Sequence, residues 1–131
     1  MAVQLDPNNP DALRNYAVAL RQAKNLDKAA EVTQQAIRLL PNDSNLRFDL
    51  GVIYRVQGKT TEAIAAYREA VKMDDKNAEA WYDLGVLLAQ DRQKQEAIEA
   101  FNKYIDLVGN KNSTQVEGVR QQIRGLGGTA H

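Results

Sequence analysis

Two carboxylates, Asp49 and Asp83, and two valines, Val52 and Val86, share a repeated word: Asp49-Leu50-Gly51-Val52 returns as Asp83-Leu84-Gly85-Val86, thirty-four residues on. Paired acids invite a reading as general acid and base, or as ligands of a hard cation, but either role needs groups that converge on one point. The rest of the chain does not supply them. Its single histidine, His131, is the last residue given. Serine occurs only as Ser44 and Ser113, both at expected helix starts, where a hydroxyl serves as an N-cap. Asp74 and Asp75 fall in an expected loop and read as solvated or capping residues. The absence of cysteine removes thiolate nucleophiles, thiolate metal ligands and disulfides together. No glycine-rich phosphate loop follows a strand, because no strand is expected. Catalytic residues, metal and cofactor are therefore all read as none, and the chain is not read as an enzyme.

Composition excludes further classes. The 131 residues are 44% hydrophobic and 26% charged, as in ordinary globular domains, and seventeen basic residues balance seventeen acidic ones. Without a net positive field, neither nucleic acid nor an anionic membrane surface is a favoured partner. No apolar run reaches the roughly 20 residues of a membrane-spanning helix and no leader pattern opens the chain, which leaves the compartment open with the cytoplasm slightly favoured.

The repeated word belongs to a longer one. Residues 44–77 and 78–111 align without gaps at eight identities: Asp49/Asp83, Leu50/Leu84, Gly51/Gly85, Val52/Val86, Glu62/Glu96, Ala63/Ala97, Ile64/Ile98 and Ala66/Ala100. Residues 10–43 share Val18, Arg21, Ala29 and Ala36 with the second copy and match it in residue size. Each copy holds two stretches of helical periodicity separated by a short polar break such as Gln57-Gly58-Lys59. Small residues at Ala17, Gly51 and Gly85, and at Ala29, Ala63 and Ala97, face large ones, which lets helices interlock at about 8–10 Å. A glycine inside a helix costs about 1 kcal/mol relative to alanine, so Gly51 and Gly85 predict close packing.

A period of about 34 residues is the mark of stacked helical hairpins, and the chain resembles the tetratricopeptide repeat (TPR) family. The third copy carries Trp81, Leu84, Gly85, Leu88, Ala97 and Phe101 at the family spacing. The second carries Leu50, Gly51, Tyr54, Ala63, Tyr67 and Ala70, and the first Leu13, Ala17, Ala29, Ala36 and Pro41. The resemblance implies an all-α fold, a right-handed superhelix of antiparallel helix pairs. Its expected parts are the end of a preceding repeat over 1–9, repeats over 10–43, 44–77 and 78–111, a capping helix over 112–126 and a disordered tail over 127–131. Several places depart from the pattern: Arg47 stands for a large apolar residue, Thr33 for an aromatic, Tyr104 for a small alanine, and Asp75 and Gly109 for proline. A bulky Tyr104 predicts that the array ends there. Val116, Val119, Ile123 and Leu126 then mark one amphipathic helix, capped at Ser113 or Thr114, which covers the last repeat.

The resemblance further implies that the first helix of each pair lines a concave face. The outward places there are Arg14, Phe48 and Tyr82; Asn15, Asp49 and Asp83; Val18, Val52 and Val86; and Arg21, Arg55 and Ala89. Residues 14, 18 and 21, and likewise 48, 52 and 55, share one helix face by spacing. Aromatics and arginine are the types that anchor interfaces, so Arg14, Asn15, Val18, Arg21, Phe48, Asp49, Val52, Arg55, Glu79, Tyr82, Asp83 and Val86 are the expected contacts of a peptide or protein ligand. The competing reading is that the valines and aromatics only pack. TPR adaptors that hold the Glu-Glu-Val-Asp tail of heat-shock chaperones use a carboxylate clamp, whose places here are Arg14, Val18, Asp49, Glu79 and Asp83. Two carboxylates standing for cations predict repulsion of that tail. The alternatives are self-association through an uncapped N-terminal end, or a substrate-recruiting arm of a larger enzyme. An asparagine ladder for the latter is met only by Asn15.

Overall fold

The computed structural model describes residues 9–109 and 113–131, the side chain of Ser113 excepted. Residues 1–8, read above as the end of a preceding repeat, lie outside these. The fold is all-α, with α1 (Pro10–Gln22), α2 (Leu26–Leu39), α3 (Ser44–Val56), α4 (Thr60–Met73), α5 (Ala78–Gln90), α6 (Lys94–Val108) and α7 (Ser113–Gly125). Two compact units divide the chain at Met73 and Asp74. The first holds α1 to α4, the second α5 to α7 and the segment after them.

Local chemistry sets the helix limits at the same place in each copy. The first helix of every pair begins after an Asx residue: Asn9 accepts from the Ala12 N–H at 3.2 Å, Asp43 from those of Asn45 and Leu46 at 2.9 and 3.3 Å, and Asn77 from that of Ala80 at 3.1 Å. These bonds satisfy donors that a helix start leaves without partners. Ser44, expected to cap α3, is instead its first residue, because the preceding Asp43 already accepts from the free amides. Thr114 likewise lies inside α7, and the Ser113 side chain falls outside the described residues.

Each pair then turns through three residues, 23–25, 57–59 and 91–93, too few for anything but an antiparallel return. The middle residue adopts positive φ every time: Lys24 at 64°, Gly58 at 76° and Arg92 at 63°. The amide of the next residue reaches back five places, Asn25 to Leu20 O, Lys59 to Tyr54 O and Gln93 to Leu88 O, in a Schellman-type closure. Glycine is at ease in this conformation and other residues are not. Arg92→Gly is expected to stabilise the second unit by about 0.5–1 kcal/mol, the relief of strain exceeding the entropy cost of glycine. A thermal midpoint that stays put or falls would count against this account of the turn.

In the first unit the core joins Leu13, Ala17, Val32, Ala36 and Leu46 in one cluster and Ala29, Ala30, Leu50, Ile53 and Ala66 in a second. Gly51 matters because a Cβ there would sit 3.0 Å from the Tyr67 ring. In the second unit Gly85 is tighter still, 2.7 Å from the Phe101 ring. Both rings are fully buried, so the close packing expected of these glycines is the packing of a ring against a helix backbone. Val116, Val119 and Ile123 of α7 are buried in the second unit, where α7 packs on α6.

The segment after α7, expected to be a disordered tail, is held down. Gly127 takes φ 85°, the Gly128 amide donates to Ile123 O, and Gly128 lies so close to Ile98 that an added Cβ would meet it at 2.5 Å. Buried Asn102 donates to Thr129 O at 3.0 Å and accepts from the His131 amide at 2.8 Å, and His131 Nδ1 lies 2.7 Å from Asp106 Oδ1. Glycine content lets the backbone approach α6, and a carboxamide 27 residues away supplies the partners.

Candidate functional site

All twelve candidate contacts are half-buried or exposed, and none belongs to the fully buried core. In the first unit they occupy α1 (Arg14, Asn15, Val18, Arg21) and α3 (Phe48, Asp49, Val52, Arg55). In the second they occupy α5 (Glu79, Tyr82, Asp83, Val86). Helical spacing puts them on the outer face, since Leu13, Ala17, Leu46, Leu50 and Ile53 take the inward positions.

In the first unit the charges are partly spent on each other. Arg14 Nε donates to Asp49 Oδ2 at 2.8 Å, with the Asp49 side chain 19% exposed and that of Arg14 44%. A pair this exposed contributes about 0.2–1 kcal/mol, so its consequence is positional: it ties the outer face of α1 to that of α3. Arg55 Nε reaches the Tyr67 hydroxyl at 3.3 Å, so a core ring presents its polar end at this face. Phe48 meets the Tyr67 ring edge-on at 5.7 Å. Phe48 is half-buried in this contact. Among the described residues Arg21 has no ion pair or side-chain hydrogen bond.

In the second unit Tyr82 lies 6.2 Å from the Phe101 ring and 5.4 Å from that of Tyr104. Burial, and then the neighbouring Tyr82, hold the Tyr104 phenol above its ordinary pKa, so it stays neutral. Tyr104 is 5% exposed: the bulk that breaks the repeat pattern is absorbed inside this unit. Glu79 and Asp83 are the acids of the α5 face. Over the named residues the face carries three arginines against one acid in the first unit and two acids in the second, +2 and −2 by count.

Sequence reasoning passed over one correspondence. Trp81 Nε1 donates to Asp75 O at 2.8 Å, and Arg47 Nη2 donates to Pro41 O at 3.0 Å. Each side chain reaches six residues back, so the arginine that departs from the pattern keeps the donor role of the tryptophan. Arg47 also pairs with Glu69 at 2.7 Å. The matching register of residues 47 and 81 was the available signal.

Among the described residues no group of three or more potential metal ligands comes together, and no helix is long and apolar enough to cross a membrane.

Two models of one family, described as tetratricopeptide repeat, match residues 48–112 and 2–54. No curated protein matches the sequence. Among solved structures, the Yersinia enterocolitica type III secretion chaperone SycD, in complex with a peptide of the translocator YopD, is similar at 24% identity and TM-score 0.79, over 87% of this chain and 91% of that one. The Sgt2 TPR domain from Aspergillus fumigatus is similar at 23% identity and TM-score 0.77, over 90% and 81%. The first TPR of Spaghetti, bound to the HSP90 peptide SRMEEVD, is similar at 14% identity and TM-score 0.78, over 94% and 99%.

Proposed function

The chain belongs to the tetratricopeptide repeat family, and from that premise we propose that it is a non-catalytic scaffold or adaptor module that holds a peptide or protein segment on the outer face of α1, α3 and α5. The observation that carries this reading is the state of Phe48 and Val52. Both are only half-buried although Leu46, Leu50 and Ile53 of the same helix are buried, and α3 also carries Arg55, so that aromatic, aliphatic and arginine side chains occur together as in interface anchors. Two of the similar proteins carry peptides: SycD one of YopD, and Spaghetti one of HSP90.

Charge assigns the partner's polarity. Arg21 and Arg55 suit an acidic stretch on the first unit, and Glu79 and Asp83 a basic or donor-rich stretch on the second. The Spaghetti ligand is a poor fit to this chain. Arg14, the one clamp place that keeps its charge, is already bound to Asp49, and Glu79 and Asp83, which stand at cation places of the clamp, oppose a terminal carboxylate.

Selection of peptides from a random display library on the whole chain tests the reading. Enriched peptides are expected to lose at least about tenfold in affinity, roughly 1.4 kcal/mol, when Val52 is replaced by glutamate at unchanged thermal midpoint. Enriched peptides indifferent to Val52→Glu would overturn it. Calorimetry with SRMEEVD is expected to detect nothing tighter than about 10 μM.

A further inference from the structure

The outer stripe of α6 is unlike that of α2 and α4. Positions 98, 102 and 106 stand four apart and share one side of the helix. At the register of Asn102 the earlier copies carry Gln34 and Arg68, both exposed, and at that of Asp106 they carry Arg38 and Lys72. The third copy therefore buries a short carboxamide, 8% exposed, where the others solvate a long polar side chain. It also sets an acid where both others set a base.

The segment 128–131 shows what such a stripe can hold. Asn102 Nδ2 donates to Thr129 O at 3.0 Å, and its Oδ1 accepts from the His131 amide at 2.8 Å. One carboxamide thus takes a carbonyl and the amide two residues further along, the pattern by which a strand is added to a parallel edge. Bonds of this kind read an extended backbone and ignore its side chains. Selection comes from the positions on either side. Next to Ile98 only glycine fits, since a Cβ on Gly128 would meet the Ile98 side chain at 2.5 Å. At the other end Asp106 Oδ1 lies 2.7 Å from His131 Nδ1.

The segment leaves part of the surface unused. Glu117, Arg120 and Arg124 of α7 line, together with residues 128–131, an open cleft of about 500 Å³. Arg120 and Arg124 stand 3.6 Å from opposite oxygens of Glu117, too far for hydrogen bonds. Two guanidiniums share one carboxylate, so a positive charge is left over, and neither Thr129 nor Ala130 answers it.

We propose that this α6–α7 surface is a second binding site, for an extended peptide segment that reads glycine, any residue, an acid, then histidine. The chain's own residues 128–131 fill it in cis and yield to such a partner. A segment tethered this closely competes at an effective concentration of about mM, and the partner's acid, on Arg120 and Arg124, supplies a charge-assisted contact that Ala130 lacks. None of the twelve residues of the outer face of α1, α3 and α5 takes part, so this site and that face are tested separately.

The test uses the full chain, followed at the Asn102 carboxamide protons and the Ile98 methyls, and blocked synthetic peptides. Gly128→Val drives the segment off Ile98 while Val116, Val119 and Ile123 keep α7 in place. Acetyl-Gly-Thr-Glu-His-amide is expected to bind this variant saturably, and the native chain about tenfold more weakly because the cis segment competes. Valine in place of the peptide's glycine is expected to cost about tenfold, and lysine for its glutamate or glutamate for its histidine about threefold each. Asn102→Ala added to Gly128→Val is expected to keep the fold and abolish binding. Should Gly128→Val not fold, His131→Ala, which removes only the exposed contact to Asp106, is expected to bind the peptide about twofold or more tighter than the native chain does. No saturation at these probes in the variant that folds, equal affinity of the glycine and valine peptides, indifference to lysine for glutamate, or Asn102 resonances unmoved by Gly128→Val would each overturn the proposal.

Discussion

Replacing Phe101 by alanine lowers the stability of the second unit by about 3–5 kcal/mol, the usual cost of removing a buried ring. The ring is fully buried and seats against the backbone of α5 at Gly85, with Tyr82 beside it. Nothing small can refill the space without moving α5 toward α6. The complementary change is informative because its terms oppose. Gly85→Ala gains about 1 kcal/mol of helix propensity but places a Cβ 2.7 Å from the ring. Overpacking of that kind costs about 1–3 kcal/mol, and we expect a net loss of up to about 2 kcal/mol, larger than for Gly51→Ala, where the approach is 3.0 Å.

The combination Gly85→Ala/Phe101→Thr reproduces the Ala17/Thr33 pair of the first helix pair. It is expected to be less damaging than the sum of its parts by about 1 kcal/mol or more, as coupled neighbours are. Denaturant melts of the four proteins measure this. Simple additivity would show that the ring and the glycine are not partners.

Replacing Ile123 by aspartate detaches α7, at a cost of about 4 kcal/mol or more, because a carboxylate is forced into a position with no exposure and no partner. Ile123→Ala, which only opens a cavity, is expected to cost about 2–4 kcal/mol. Val116 and Val119 leave water together with Ile123, and Gly128 is bonded to Ile123 O, so the loss reaches the segment at Asn102. Hydrogen exchange is the suitable measurement. Amides 114–128 are expected to lose protection in the aspartate variant while those of α1 to α4 keep theirs. Retained protection across α7 would mean that it is not held by this buried stripe.

Much of this architecture is legible in the sequence, and the reason is redundancy. A single Gly51 is ambiguous, but Gly51 and Gly85 in register, each followed sixteen residues on by a ring, state a packing rule twice. The paired helices and the amphipathic stripe of α7 follow from the same periodic burial. At the start of α3 serine and aspartate offer the same capping chemistry, and Asp43, which stands first, takes the role expected of Ser44.

What stayed hidden depends on distance. That Arg14 and Asp49 bind each other, 35 residues apart, converts two apparent ligand contacts into one internal tie. Asn102 looks like a surface polar residue of α6 until the chain returns and bonds to it at Thr129 and His131.

The sequence by itself determined the period, the helix pairs, the close approach at the glycines and the types of side chain presented by the outer face. These follow from local propensity and from the 3.6-residue repeat of burial, which each copy writes independently. Only the tertiary structure decided which of those side chains are already engaged and that the glycine-rich end is tied to α6. Such outcomes depend on which distant groups meet, and hydrogen-bond and ion-pair geometry over a few ångströms is written in no single stretch of the chain.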